Sequence, residues 1–390
     1  MECKSIGERE RNVEPFFNTK SVHFLQKEKG ENQSKARPIY QTSAFVFKDL
    51  ADMEQYFKGE KDYLYTRYGN PNTDDLGKGV ALLECAEDGV ATSSGMSAIL
   101  CAILAFCKTG DHLIATMDVY GGTYALLEKE LSLFGIEVSF VHPNENWEAS
   151  IKSNTKGVFA ETISNPLVRV ENLEDLIDAA KRHDLLVIVD NTFATPYLLQ
   201  PYTLGADLVI HSATKYIGGH SDVTAGVIVG RQELVDQARA RVIALGSNLS
   251  PFEAWLACRG LKTLALRMER QCQNAAELAK TMQETDGVKH VYYPPFVSEK
   301  GNGAIVSIEL DQKANVERFF SAFTFVKVAP TLAGVETSIS YPLNTSHRSV
   351  PEEMRKALNI GTHLIRISVG IEDGRNIIAE FQEAVRKSLL

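Results

Sequence analysis

A lysine stands beside two hydroxyls in the stretch from Ala206 to His220: Ser212, Thr214 and Lys215 follow an apolar run and precede Gly218 and Gly219. The lysine amine can form a Schiff base with an aldehyde, while the hydroxyls hydrogen-bond a phosphate on the same molecule. That is the layout of a pyridoxal phosphate (PLP) site. The same spacing also suits a lysine that simply ends a buried strand in solvent. Asp190 closes a second run, Leu185 to Asp190, which is continuously apolar and so expected as a strand buried on both faces. A carboxylate at the C-terminal end of such a strand lies where open α/β sheets bind ligands, and a protonated pyridine nitrogen needs one as its partner. Alone, Asp190 equally suits capping of the turn or helix that follows.

These groups need elements to hold them. Val90 to Leu104 reads as a short strand, a Ser94-Gly-Met96 turn and a strongly apolar helix. Free N–H groups at a helix start attract phosphate, and Gly95 lets the backbone approach closely; serines also cap helices with no ligand present. Tyr120-Gly-Gly-Thr123 follows the strand-like run His112–Thr116, where an aromatic ring could stack on a flat cofactor or simply pack. Further strands are expected at Asp111–Thr116, Glu137–Val141, Gly157–Glu161, Leu185–Asp190, Asp207–His211 and Ala225–Val229, alternating with helical patterns. That alternation argues an α/β fold with a mostly parallel sheet covered on both faces. The chain divides into a polar arm (1–70), a large domain (71–255) and a smaller α+β domain (256–390). The last opens on a long helix pattern, Leu261 to Glu284, and continues into Gly303–Leu310, whose alternation predicts an antiparallel strand.

Composition narrows the class. A hydrophobic content of 44% with 23% charged residues is that of an ordinary soluble globular chain, and a net charge of −9 points away from nucleic acid. No apolar run is long enough to span a membrane. The stretch from Met1 to Asn12 has no apolar core of the kind a signal peptide carries. Cys3, Cys85, Cys101, Cys107, Cys258 and Cys272 show no C-x-x-C and no zinc spacing, which suits a reducing cytoplasm. His211 and His220 flank the lysine motif without metal-ligand company, so no metal site is expected.

The chain resembles the Cys/Met-metabolism, or trans-sulfuration, family of PLP enzymes. The resemblance rests on Tyr65-Thr-Arg-Tyr-Gly-Asn-Pro71, Ser94-Gly-Met96, Tyr120-Gly-Gly-Thr123, Ser164-Asn-Pro166, Val189-Asp-Asn-Thr192, Ser212-Ala-Thr-Lys215 with Gly219-His-Ser-Asp222, Arg259-Gly-Leu-Lys-Thr263, Gly334-Val-Glu336 and Leu364 to Asp373. It implies the type I PLP-enzyme fold, assembled as a homotetramer of two active dimers. It further implies that Lys215 is the Schiff-base lysine and proton shuttle, and that Asp190 is the pyridinium partner. Ser212, Thr214, Gly95 and Met96 would form the phosphate cup, completed by Tyr65 and Arg67 from a partner subunit. Tyr120 would stack on the ring, Asn165 would contact the cofactor's phenolic oxygen, and Arg366, helped by Ser340, would pair with the substrate α-carboxylate. A PLP-binding protein with a purely regulatory role would have no need of all these groups.

Within that resemblance the substrate hints diverge. Glu336 is the residue type of γ-specific members. Leu64 and Ala125 stand where cystathionine enzymes place a glutamate and an arginine for the distal ammonium and carboxylate, and both make the distal pocket less polar. This favours α,γ-elimination on methionine or a homocysteine-like thioether. The alternatives are cystathionine γ-synthase or γ-lyase activity, O-acylhomoserine sulfhydrylation, and cystathionine β-lyase activity. Gly122 departs from the cysteine of well-marked methionine γ-lyases. The connection from Val291 to Gly303 is shorter than the family's, and it either borders the substrate entrance or is an inconsequential surface loop.

Overall fold

The computed structural model describes residues 16–25, 34–143, 145–348 and 350–390; Cys3 and the stretch from Met1 to Asn12 lie outside them. The apolar runs form one 7-stranded sheet: β1 (Asp88–Thr92), β2 (His112–Thr116), β3 (Glu137–Val141), β4 (Thr155–Glu161), β5 (Leu186–Asp190), β6 (Leu208–His211) and β7 (Gly226–Gly230). The spatial order is β1-β7-β6-β5-β4-β2-β3, parallel except where β7 meets β1 and β6. Alternate residues of one strand feed two cores. Val187, Val189 and Val209 pack with Leu76 and Val80 on one face, and Ile188 and Ile210 pack with Ile99 and Ile103 on the other. A strand covered on both sides must be apolar on both, which is why these runs are continuous. β4 begins at Thr155, before the predicted Gly157, because polar residues extend it: the Thr155 hydroxyl meets His112 Nδ1 at 2.7 Å.

A second, 5-stranded sheet follows: β8 (Val288–Tyr292), β9 (Ile305–Leu310), β10 (Lys327–Val328), β11 (Ser338–Ser340) and β12 (Leu364–Ser368), in the order β10-β11-β12-β9-β8. β9 is antiparallel to both neighbours, as its alternation predicts, yet both of its faces are buried. Val306 and Ile308 join Ile365 and Ile367 in the small domain's own core. The opposite face carries Ser307, Arg366, Ser368 and Ser340 and turns toward the large sheet, where the Ser307 hydroxyl donates to the Pro166 carbonyl at 2.6 Å. The polar half of the pattern therefore marks an internal interface rather than solvent.

The helix pattern predicted from Leu261 to Glu284 is the single helix Leu264–Gln283, and a separate helix, Pro251–Leu261, precedes it. The break falls where a Cβ on Gly260 would come within 2.2 Å of the Gly218 carbonyl, so the helix end packs backbone to backbone against the loop after Lys215. Buried Arg267 seals the junction, donating to the Tyr216 carbonyl at 2.6 Å and to the Gly260 carbonyl at 2.8 Å. Among the described residues no helix is long and apolar enough to cross a membrane.

Candidate active site

A cavity of about 440 Å³ opens at the C-terminal ends of β1, β4, β5 and β6, with the small sheet as its far wall. Its lining brings together Gly95, Met96, Tyr120, Asn165, Asp190, Ser212, Thr214, Lys215 and Arg366, residues that lie up to 271 positions apart in the chain (95 to 366).

One end is a neutral cradle. Ser94 caps the helix Gly95–Phe106, its hydroxyl accepting from the Ser97 N–H at 3.1 Å. The N–H groups of Gly95 and Met96 begin the helix and have no intrahelical acceptor. A Cβ on Gly95 would stand 2.7 Å from the Ser212 Cβ, so only glycine lets these two segments meet. The Ser212 N–H donates to the Thr192 hydroxyl at 2.8 Å, and the Thr214 hydroxyl donates to the Ala225 carbonyl at 3.1 Å. The Ala225 N–H donates to the same Thr214 hydroxyl at 3.0 Å, so that hydroxyl and the Ser212 main chain are fixed next to the helix start.

The middle carries the titratable groups. Lys215 Nζ donates to the Thr331 hydroxyl at 3.4 Å. Burial, and then the Arg366 charge, push its amine down to about 8, so an appreciable share is free base near neutrality. Asp190 accepts from the Thr192 N–H at 2.9 Å. Glu161 is its register partner across β4 and β5. Burial pushes both carboxyls up, and Glu161 is driven further by the Asp190 charge beside it. Hydrogen bonds from Thr192 and the His211 charge partly offset that rise at Asp190. The Tyr120 ring is 41% exposed at the mouth, and its N–H donates to Glu161 Oε1 at 2.8 Å. Gly122 lies under that ring: a Cβ there would come within 2.5 Å of Tyr120 Cε1, so a cysteine at this position would have to displace it.

The other end is a buried cation. Arg366 is 2% exposed, donating through Nη1 to Asn165 Oδ1 at 3.1 Å and through Nη2 to the Thr331 carbonyl at 3.3 Å. Burial pushes its guanidinium down to about 10, and its Nε has no partner. His347, beside it, is pushed down to about 4 by burial and by that charge, and is neutral at ordinary pH. A buried guanidinium with an unused N–H is a site for an incoming carboxylate.

Other predicted residues lie elsewhere. Tyr65 and Arg67 line a separate surface cleft of about 430 Å³, where Arg67 donates to the Ile243 carbonyl at 3.2 Å and stacks over the Tyr68 ring. Leu64 and Ala125 are half-buried and do not line the cavity. Ser340 faces Arg366 across β11 and β12 but is enclosed, with its hydroxyl unpartnered. Glu336 is ion-paired to Lys327 at 2.8 Å. No residue of the Val291–Gly303 connection lines the cavity. Sequence reasoning missed Glu161 and Thr331. The signal for Glu161 was present: Val158-Phe-Ala-Glu161 ends an apolar strand in a carboxylate just as Val187-Ile-Val-Asp190 does. Thr331 sits in an irregular segment with no such pattern.

The residues present fit PLP. The helix start and hydroxyls form a cradle that a Cβ at Gly95 would fill, the lysine is buried and partly neutral, and the Asp190 carboxyl, of the type a pyridinium nitrogen needs, lines the same cavity.

Comparison with known proteins agrees. The family model described as "Cys/Met metabolism PLP-dependent enzyme" matches residues 18–386. A cystathionine beta-lyase of Lactococcus lactis subsp. cremoris is 40% identical over 90% of this chain and 93% of its own. An L-methionine gamma-lyase of Porphyromonas gingivalis is 39% identical over 90% and 92%. The crystal structure of a putative O-acetylhomoserine (thiol)-lyase from Campylobacter jejuni, carrying N'-pyridoxyl-lysine-5'-monophosphate, superposes with a TM-score of 0.89 at 29% identity, covering 95% of this chain and 99% of that one. The chain belongs to the Cys/Met-metabolism family of PLP-dependent enzymes, which are carbon–sulfur lyases and synthases. Near-equal identity to relatives of different reaction type leaves the choice of reaction to the site itself.

Proposed function

We propose that this family member catalyses α,γ-elimination on methionine or a homocysteine-like thioether: methionine and water give 2-oxobutanoate, methanethiol and ammonia. The observation that carries this is the charge inventory of the cavity. Among the described lining residues the cations are Lys215 and Arg366, and the wall between them is apolar, with Ile163, Phe193, Pro330 and Leu332. Arg366 serves one carboxylate, Lys215 is the reacting amine, and neither is left for the distal carboxylate of cystathionine. Glu336 does not line the cavity and is ion-paired to Lys327, and Leu64 offers no carboxylate for a distal ammonium. An apolar wall suits a thioether and rejects a charged tail.

The lining supports a role for each residue. The Gly95 and Met96 N–H groups with the Ser212 and Thr214 hydroxyls would hold the cofactor phosphate, Asp190 would partner its ring nitrogen, Asn165 would contact its phenolic oxygen, and Tyr120 would stack on the ring. When bound, PLP supplies an electron sink for negative charge at the substrate Cα. Arg366 takes the α-carboxylate through its free Nε and an Nη, which turns the Cα–H bond toward Lys215. Lys215, tethered at Thr331, accepts the α-proton and returns a proton later in the cycle. Tyr120 stands at the mouth, where the γ-sulfur must leave with a proton.

The N-terminal arm (1–70) would give Tyr65 and Arg67 to the phosphate cup of a second copy, in a tetramer of two such dimers. Their separation from this chain's own cavity supports that, as does apolar exposure along the arm: 97% for Val46, 82% for Leu50 and 65% for Phe57. The large and small domains would divide at 71–255 and 256–390. The reduced thiols Cys101, Cys107, Cys258 and Cys272, all buried, support a cytoplasmic setting.

The test is product analysis of PLP-loaded protein given L-methionine and L-cystathionine in parallel. We expect 2-oxobutanoate and methanethiol from methionine, faster than any product from cystathionine. Cystathionine as the better substrate would overturn the proposal; pyruvate from it would mean β-chemistry, and 2-oxobutanoate a cystathionine γ-enzyme.

A further inference from the structure

Glu161 is a buried carboxyl in the cavity wall that the chemistry above does not use. It ends β4, beside Asp190 at the end of β5. Its Oε1 accepts the N–H of Tyr120, 41 residues away, in the loop after the neighbouring strand β2. The nearby guanidinium is committed elsewhere: Arg169 makes two bonds to Asp118, at 2.8 and 3.0 Å, and one to Glu171 at 2.9 Å. Among the described residues Glu161 has no ion-pair partner. A buried acid without a cation is costly unless its hydrogen bond matters.

The place of that bond gives it a use. Tyr120 is the N-cap residue of the short helix Gly121–Ala125 and has no side-chain cap of its own. Below it, a Cβ on Gly121 would come within 2.0 Å of the Ser346 carbonyl, so the turn is pressed against the opposite wall. Asp118, two residues before Tyr120, is pinned by Arg169 from the segment that follows β4. The Tyr120 turn thus hangs from two anchors, one at the end of β4 and one in the segment after it, and the bond to Glu161 is the anchor on the ring-bearing residue itself.

We propose that Glu161 is a positioning residue, which fixes the Tyr120 main chain and so sets the plane of the Tyr120 ring over the cofactor. This rests on the placement of Tyr120 against PLP proposed above. Burial and the Asp190 charge push Glu161 toward its acid form, whose shape and acceptor glutamine reproduces. Methionine fills the same space without an acceptor.

The experiment uses the full-length chain freed of cofactor and titrated with PLP. The readouts are the dissociation constant and the visible circular dichroism of the bound cofactor, which reports ring environment independently of turnover. E161M should raise the dissociation constant about 10-fold and weaken the dichroic band; E161Q should stay within about 2-fold of the parent. E161A serves in place of E161M should that variant not fold. Tyr120→Ala should itself weaken binding and dichroism, and E161M added to it should cause little further change, because both act through one ring. Parent-like E161M and E161A beside an altered Tyr120→Ala would overturn the role of Glu161 alone, as would full additivity. A parent-like Tyr120→Ala would overturn the stacking of Tyr120 and this inference with it.

Discussion

At one end of the cavity the groups that meet an anion are neutral, at the other a full charge waits in the interior. The Gly95 and Met96 N–H groups and the Ser212 and Thr214 hydroxyls are dipoles on the rim of the large sheet, on segments held by the Ser94 cap and by bonds to Thr192 and Ala225. Arg366 sits on the small sheet, buried and with one N–H unsatisfied. A neutral cradle costs little when empty and holds an anion by geometry. A buried guanidinium is costly when unpaired and gains much from one well-placed carboxylate. The first suits a cofactor that stays, the second a substrate that must be chosen and released.

Substitutions at the two ends should separate these behaviours. Arg366→Met should lower kcat/KM for L-methionine by about 10²-fold and leave the PLP dissociation constant nearly unchanged. An equal loss of PLP affinity would mean that Arg366 holds the whole cavity rather than one carboxylate. Gly95→Ala should do the converse. The added Cβ meets Ser212 at 2.7 Å, and PLP should bind about 10-fold more weakly with little change in KM; a shift confined to KM would show that the cradle faces the substrate. The smallest effect concerns Lys215 between the two ends. In the cofactor-free chain its folded value of about 8 lies below the ordinary 10.5. Between those values the unfolded chain binds more protons, so stability rises with pH across that window. Below about 8 the parent carries a buried charge that Lys215→Met lacks. The variant should therefore melt higher at pH 7, and its advantage should shrink toward pH 10. A constant gap would mean that the amine is not desolvated.

Much of this was legible because the large sheet is parallel. A strand such as Leu186–Asp190 must be apolar along both faces, so the first polar residue after the run marks the rim where ligands sit, and that rule located Asp190, Ser212 and Lys215. Applied evenly, it would also have found Glu161. The small sheet was harder. Its alternation predicted an antiparallel strand over Gly303–Leu310, observed as Ile305–Leu310, yet the polar residues of that pattern are buried, because their face lies against a second domain that no local pattern reveals. Thr331 escaped for a different reason. It lies between β10 and β11, outside any periodic element, and acts through a side chain toward Lys215 and a carbonyl toward Arg366. Near it Ala333 adopts φ 72°, a conformation that favours glycine and that its residue type conceals. The helix break at Lys262 and Thr263 was likewise set by a partner, the Gly218 carbonyl, rather than by local propensity.

The bond from the Ser307 hydroxyl to the Pro166 carbonyl joins the strand beside Arg366 to the residue after Asn165. It therefore ties the position of Arg366 on the small sheet to that of Asn165 at the rim of the large one. A graft that replaces the small sheet of this chain must therefore carry a donor for the Pro166 carbonyl at the position of Ser307, or that spacing is lost.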